Sequence, residues 1–184
     1  MNLPNALTIA RIVLVPLLVV VLLTKFEGRM VLGVRKELVG AAIFGVASLT
    51  DWLDGYLARR RKQVTALGQL MDPLADKLLV TAALVSLVQM GQAPAWMVAV
   101  ILGREFAVTV MRAMAHARGH VIAASPLGKF KMVAQIVAIL ALMIGQVHLG
   151  PLFVVGIVAL WIATLTALVS AVDYYRRFNH VLSA

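Results

Sequence analysis

The chain has 184 residues, 62% of them hydrophobic, and carries 17 Lys and Arg against 8 Asp and Glu, for a net charge of +9. A soluble domain is roughly half apolar, and an excess of this size cannot be hidden in one small core, so a water-soluble enzyme and a soluble nucleic-acid-binding module are both disfavoured; the positive charge is assigned to anionic lipid head groups, with no nucleic acid as partner. Cysteine is absent, which removes disulfides and thiolate metal ligands.

Six apolar segments approach the roughly 20 residues needed to cross a bilayer. The first covers about 7–23; it follows a polar start and lacks a small-residue cleavage site, so it is expected as a retained span rather than a removable leader. A polar link at 25–37 separates it from the second, 38–57, and a basic hinge at 59–62 leads to the third, 67–90. The turn Gly91-Gln92-Ala93-Pro94 opens the fourth, 95–114, and a polar link at 116–126 the fifth, 127–147. Gly150-Pro151 breaks the chain before the sixth, 152–172, and a short tail ends it. The expectation is an all-α, polytopic bundle of six transmembrane helices forming one domain over 1–184.

Lys and Arg favour the cytoplasmic side of a membrane protein. The basic stretches at 59–62, 112–131 and 176–177 fall on one side if all six segments span, which puts both termini in the cytoplasm. The link at 25–37 disagrees, because Lys25, Arg29, Arg35 and Lys36 land on the other side. Three basic regions outweigh one.

Five of the eight acids, Asp51, Asp54, Asp72, Asp76 and Glu105, lie within or at the edge of apolar segments. An ionised carboxylate there is costly and is a functional signal by default. Asp51 and Asp54 are three apart and Asp72 and Asp76 four apart, spacings that share one helical face. Like charges so close repel unless cations stand between them. Four carboxylates from two consecutive helices can surround one or two hard divalent ions, and a set with oxygen ligands only points to Mg²⁺ or Mn²⁺ rather than zinc. Gly55 and Ala58 follow Asp51 on the same face and clear room for a bulky group, Arg59 stands at the membrane edge, and Gly68 opens the next helix, where free amides can help hold an anion. The picture is a cation-bridged pyrophosphate beside two helices. Two other readings stand: a structural network in which the aspartates pair with cations such as Lys77 and Arg104, and a divalent-cation transporter.

The run Asp51-x2-Asp54-Gly55-x2-Ala58-Arg59-x8-Gly68-x3-Asp72-x3-Asp76 resembles the complete signature of the CDP-alcohol phosphotransferases. That resemblance implies six transmembrane helices, usually a homodimer, a cytoplasm-facing cavity with a divalent metal site, and displacement of CMP from a CDP-linked lipid by an acceptor hydroxyl. By position, Asp51, Asp54 and Asp72 resemble the metal ligands. Asp76 resembles the residue that touches metal and takes the acceptor's proton. Asp51, Gly55, Ala58, Arg59 and Gly68 resemble the cytidine-diphosphate contacts.

The opening Leu3-Pro4-Asn5-Ala6-Leu7-Thr8-Ile9-Ala10-Arg11 is similar to the bacterial branch that makes phosphatidylglycerophosphate from CDP-diacylglycerol and glycerol 3-phosphate, though related branches share it. Gly103-Arg104-Glu105-Phe106 with Arg112, and the run from Ser125 to Met132 with Gln135, resemble that branch more particularly; it more often has Thr where Met132 stands. Cardiolipin synthases that use CDP-lipids tend to carry Asp where Glu105 stands, and phosphatidylglycerol, serine and inositol phosphate are the competing acceptors. Glycerol 3-phosphate is a dianion and needs cations besides the metal. Arg104, Arg112, Lys129 and Lys131 are available, Arg as a bidentate phosphate ligand and Lys as a point charge. The plainer roles are snorkelling for the two lysines and a cavity-shaping ion pair between Arg104 and Glu105. The scattered histidines are read as interfacial, Tyr174 and Tyr175 as part of an aromatic belt, and Gly40, Gly45 and Gly145 as sites of close helix packing.

Overall fold

The computed structural model describes residues 3–25, 30–31, 33–61, 66–117, 126–147 and 150–183; within these, the side chains at 3–7, 51–73, 126–127, 129, 177 and 180–183 lie outside the description. Among the described residues six helices follow one another: α1 (Leu3–Leu23), α2 (Lys36–Arg61), α3 (Ala66–Gln89), α4 (Ala95–Ala117), α5 (Pro126–Gly145) and α6 (Gly150–Ser183). Between α1 and α2 a two-stranded antiparallel hairpin, β1 (Met30–Val31) and β2 (Val34–Arg35), pairs Met30 with Arg35 and Val31 with Val34. The polar link anticipated there is therefore partly ordered, around Gly33 at φ 77°.

The hairpin link also explains its own awkward charge. Lys36 donates from Nζ to the carbonyls of Leu22 at 2.6 Å and Thr24 at 3.2 Å, closing the C-terminal end of α1, where a cation meets the negative end of the helix dipole. Arg35 Nε lies 3.5 Å from the buried Glu37 carboxylate. Two of the four cations in this link are thus engaged by the protein rather than left to a membrane surface.

The α3–α4 turn is a Schellman closure. Gly91 N–H donates to Val88 O at 2.9 Å and Gln92 N–H to Leu87 O at 2.8 Å, with Gly91 at φ 72°, a left-handed conformation that glycine takes without a Cβ penalty. Pro94 then stops any continuation of α3 and precedes the first turn of α4.

The core draws on every helix, with Leu18, Phe44, Leu79, Ile101, Ile139 and Leu160 among its fully buried members. The most extensive packing is between α5 and α6. Small residues set it: a Cβ on Gly156 would meet Leu142 N at 2.8 Å, and one on Gly145 would meet Phe153 N at 2.3 Å. Gly40 likewise leaves room for Leu22, whereas Gly45 has only an ordinary contact, 3.8 Å from Leu140.

One helix among the described residues is long and apolar enough to cross a membrane, Gly150–Arg176, with a mean hydropathy of 2.6; Thr8–Leu23 and Phe130–Gly145 are shorter apolar helices. Large apolar side chains stand exposed along α6, including Val154, Val158, Trp161, Leu165 and Val169. The segment expected to end at 172 with a short tail instead continues as helix to Ser183. Ala163, Ala167, Ser170, Tyr174 and Phe178 form one unbroken buried stripe at helical spacing, so packing carries the helix through the polar residues around it.

Candidate active site

Helices α3, α4 and α5 enclose a cavity of about 250 Å³. Helical spacing delivers its polar groups. On α4 the buried stripe runs Met97, Ile101, Arg104, Val108, so Arg104 occupies a core position and Arg112 follows one turn beyond Val108. On α5, Lys131 and Gln135 begin the buried stripe that Ala138, Ile139 and Leu142 continue. On α3, Asp76 and Lys77 each stand four residues before a second lining residue, Val80 or Thr81 being the next turn of the same wall.

Among the described residues four basic side chains, Lys77, Arg104, Arg112 and Lys131, line this space with two carboxylates, Asp76 and Glu105. Glu105 is shared: its Oε1 forms an ion pair with Lys131 Nζ and accepts from Arg104 Nη1 at 3.3 Å. Lys77 donates to Thr109 Oγ1, tying α3 to α4, while Thr109 Oγ1 donates back to Glu105 O at 2.6 Å within its own helix. Helix α6 backs the arginines. Arg104 Nε donates to Ser170 Oγ at 2.9 Å, and Arg112 Nη2 donates to the Tyr174 hydroxyl. Both guanidinium carbons lie against the Tyr174 ring, that of Arg104 at 5.5 Å and that of Arg112 at 5.0 Å from its centroid.

Two donors in this cluster remain unused. Arg104 Nη2 and Gln135 Nε2 are buried and have no hydrogen-bond partner among the described residues. A buried donor left unmade costs about 1–3 kcal/mol, so a site built this way suits a ligand that brings acceptors. Anionic oxygen is the matching chemistry.

Of the residues expected from sequence, Asp76, Arg104, Arg112 and Lys131 meet around this one cavity. Asp51, Asp54, Gly55, Ala58 and Arg59 lie within α2, Gly68 and Asp72 within α3, and Lys129 within α5, but their side chains fall outside the described residues. Among the described residues no three metal-ligating side chains gather. The donor set expected from sequence consists of carboxylates alone, which suits a hard divalent ion, and its described member, Asp76, faces the cavity. The Arg104–Glu105 pair considered from sequence is present, yet it leaves Arg104 Nη2 open.

Sequence reasoning missed Lys77 as a lining cation, missed Ser170 altogether and gave Tyr174 another role. Tyr174 is corrected from an aromatic-belt residue to a buried one, 1% exposed, because it continues the inward stripe of α6; Tyr175 beside it is 62% exposed. The 3–4 spacing from Ala163 to Phe178 was the signal that could have revealed it.

Residues 1–169 match the family model described as CDP-alcohol phosphatidyltransferase. The chain is 46% identical over 185 residues to the CDP-diacylglycerol–glycerol-3-phosphate 3-phosphatidyltransferase of Bacillus subtilis (strain 168), covering 96% of this chain and 94% of that one. It is 42% identical over 176 residues to a probable phosphatidylglycerophosphate synthase of Mycobacterium tuberculosis (strain ATCC 25618 / H37Rv), covering 96% and 81%. With the CDP-diacylglycerol–glycerol-3-phosphate 3-phosphatidyltransferase of Rickettsia typhi (strain ATCC VR-144 / Wilmington) it shares 36% identity over 177 residues, covering 95% and 96%.

Proposed function

The chain belongs to the CDP-alcohol phosphatidyltransferase family, and from that premise we propose that the cavity lined by Lys77, Arg104, Arg112 and Lys131 is where the acceptor glycerol 3-phosphate binds. The protein is an enzyme of phospholipid synthesis. It transfers the phosphatidyl group of CDP-diacylglycerol to glycerol 3-phosphate, giving phosphatidylglycerophosphate and CMP. The observation that carries the assignment of the cavity is the convergence of Arg104, Arg112 and Lys131 on one space in which a buried guanidinium nitrogen has no acceptor among the described residues. A phosphate dianion supplies both the charge and the acceptors. Lys129, whose side chain lies outside the described residues, is assigned as a further point charge at the same end of α5.

Asp51, Asp54, Asp72 and Asp76 would hold Mg²⁺ or Mn²⁺, two ions being the number four carboxylates can balance. Bound there, the metal supplies charge neutralisation of the pyrophosphate and of the departing CMP. The rest of the chemistry belongs to side chains. Asp51, Gly55, Ala58, Arg59 and Gly68 accommodate the cytidine diphosphate. Asp76 takes the proton from the primary hydroxyl of glycerol 3-phosphate, whose oxygen attacks the phosphorus bearing the diacylglycerol. The cations of the acceptor pocket fix the attacking oxygen relative to that phosphorus, and positioning of this kind is the main lever in phosphoryl transfer. Placement of Asp76 and the acceptor cations around one cavity supports this reading.

The apolar α6 and the exposed aliphatic side chains support a membrane setting. In this reading all six helices form the bundle that sits in the cell membrane, the site and both termini face the cytoplasm, and two copies pair as a homodimer.

The deciding experiment is CMP release by purified protein in detergent–lipid micelles, with CDP-diacylglycerol and one acceptor at a time. Glycerol 3-phosphate is expected to support turnover, and phosphatidylglycerol, serine and inositol phosphate are not. Turnover with one of those three and none with glycerol 3-phosphate overturns the assignment of acceptor.

A further inference from the structure

We infer that Tyr174, helped by Ser170, is a positioning residue that sets the acceptor arginines without neutralising them. The inference rests on the reading of the cavity as the acceptor site. Arg104 and Arg112 stand eight residues apart on α4, about 12 Å along the helix axis, yet both guanidinium carbons come within 5.5 Å of one ring centroid. Two like charges do not converge in this way unaided. The negative face of an aromatic ring attracts a guanidinium within about 6 Å, and the Tyr174 hydroxyl fixes Arg112 further by accepting its Nη2. Ser170 fixes Arg104 in the same manner through Nε at 2.9 Å.

The nature of these partners matters as much as their number. A carboxylate in the place of Tyr174 would hold the arginines but spend their charge. A ring and two hydroxyls are neutral, so these α6 partners spend none of either guanidinium's charge; the one carboxylate that Arg104 meets here, Glu105, is shared with Lys131. Tyr174 is almost wholly buried and belongs to the continuous inward stripe of α6, so its ring is held by packing before any ligand arrives. Both residues also lie beyond residue 169, where the family-wide match ends. The part of the chain that orders the acceptor cations is thus separate from the part that carries the shared carboxylate signature.

The test compares Tyr174→Phe and Tyr174→Leu with the unaltered protein in steady-state CMP release, reading KM for each substrate separately. Loss of ring and hydroxyl together in Tyr174→Leu is expected to raise KM for glycerol 3-phosphate about tenfold, while Tyr174→Phe, which keeps the ring, raises it about threefold. KM for CDP-diacylglycerol stays within twofold in both. A merely structural role would instead lower kcat and disturb both substrates together, and that result overturns the inference. Should Tyr174→Leu not yield folded protein, Tyr174→Phe decides: an unchanged KM for glycerol 3-phosphate overturns it. Arg104→Lys and Arg112→Lys separate the two levels of argument. If neither raises KM for glycerol 3-phosphate, the assignment of the cavity falls and this inference with it. If both raise it and the Tyr174 variants do not, only the role of Tyr174 is lost.

Discussion

Lys131 on α5 and Glu105 on α4 form an ion pair in the wall of the cavity, with side chains 4% and 22% exposed. The same carboxylate also accepts from Arg104, so one acid holds two cations of the cavity wall. Removing one partner of a buried pair leaves the other charge uncompensated, whereas replacing both with apolar groups is often close to neutral. Glu105→Gln is therefore expected to destabilise the protein by about 3 kcal/mol, read as a lower midpoint in thermal unfolding in detergent. The double replacement Glu105→Leu with Lys131→Met should recover much of that stability and still bind glycerol 3-phosphate poorly. A double variant as unstable as Glu105→Gln alone would show that packing rather than charge governs this contact.

Asp76 carries the proton transfer in the proposed reaction. Asp76→Asn keeps the shape of the side chain and removes the base, so turnover should fall by about 10³-fold, within the usual range for a general base. Equilibrium binding of CDP-diacylglycerol should persist. Unimpaired CMP release in this variant would remove Asp76 from that role.

Depletion of divalent cations provides an independent check on the aspartates. Treatment with a chelator is expected to abolish CMP release, and addition of Mg²⁺ or Mn²⁺ to restore it. Activity that survives exhaustive chelation would argue that the paired carboxylates serve another purpose.

The α5–α6 contact should be intolerant of even one added carbon. In Gly156→Ala the new methyl meets the Leu142 backbone nitrogen at 2.8 Å, and backbone cannot step aside as a flexible side chain can. Overpacking of this kind costs about 1–3 kcal/mol, visible as a lower unfolding midpoint. Gly45→Ala, with its nearest neighbour at 3.8 Å, should change that midpoint little.

Lys36 is expected to act through stability alone. Lys36→Gln removes the charged group that closes the end of α1, and the loss should be about 1 kcal/mol. Its KM values should match those of the unaltered protein, because Lys36 lies in a different part of the fold from the cavity. A marked change in KM for glycerol 3-phosphate would contradict the separation of these two regions.

Much of this arrangement could be read from the residues in order. Apolar runs broken by Gly91 to Pro94 and by Gly150-Pro151 located the helices, because each break is a local event with local causes. Arg104, Arg112 and Lys131 were legible because they sit in short runs with a recognisable pattern. What escaped notice depends on distance along the chain. Ser170 and Tyr174 meet arginines 66 and 62 residues away, and no local pattern records which face of α6 will pack against α4. The polar look of the stretch from Asp173 to Arg177 also misled, since the charged residues there flank a buried tyrosine. In the link at 25–37 the charge count could not distinguish a lysine facing lipid from one capping a helix.

The order of the elements has a consequence for how the site comes into being. The aspartate signature lies wholly within α2 and α3, whereas the groups that steady Arg104 and Arg112 come from α6, which follows every other wall of the cavity in the chain. During synthesis α2 and α3 are laid down before α6, whose Ser170 and Tyr174 hold Arg104 and Arg112 in the folded chain. On the proposed assignment, the residues that meet the CDP-lipid and those that steady the arginines for the alcohol therefore sit in separate stretches of the chain, joined by the packing of α6 against α4.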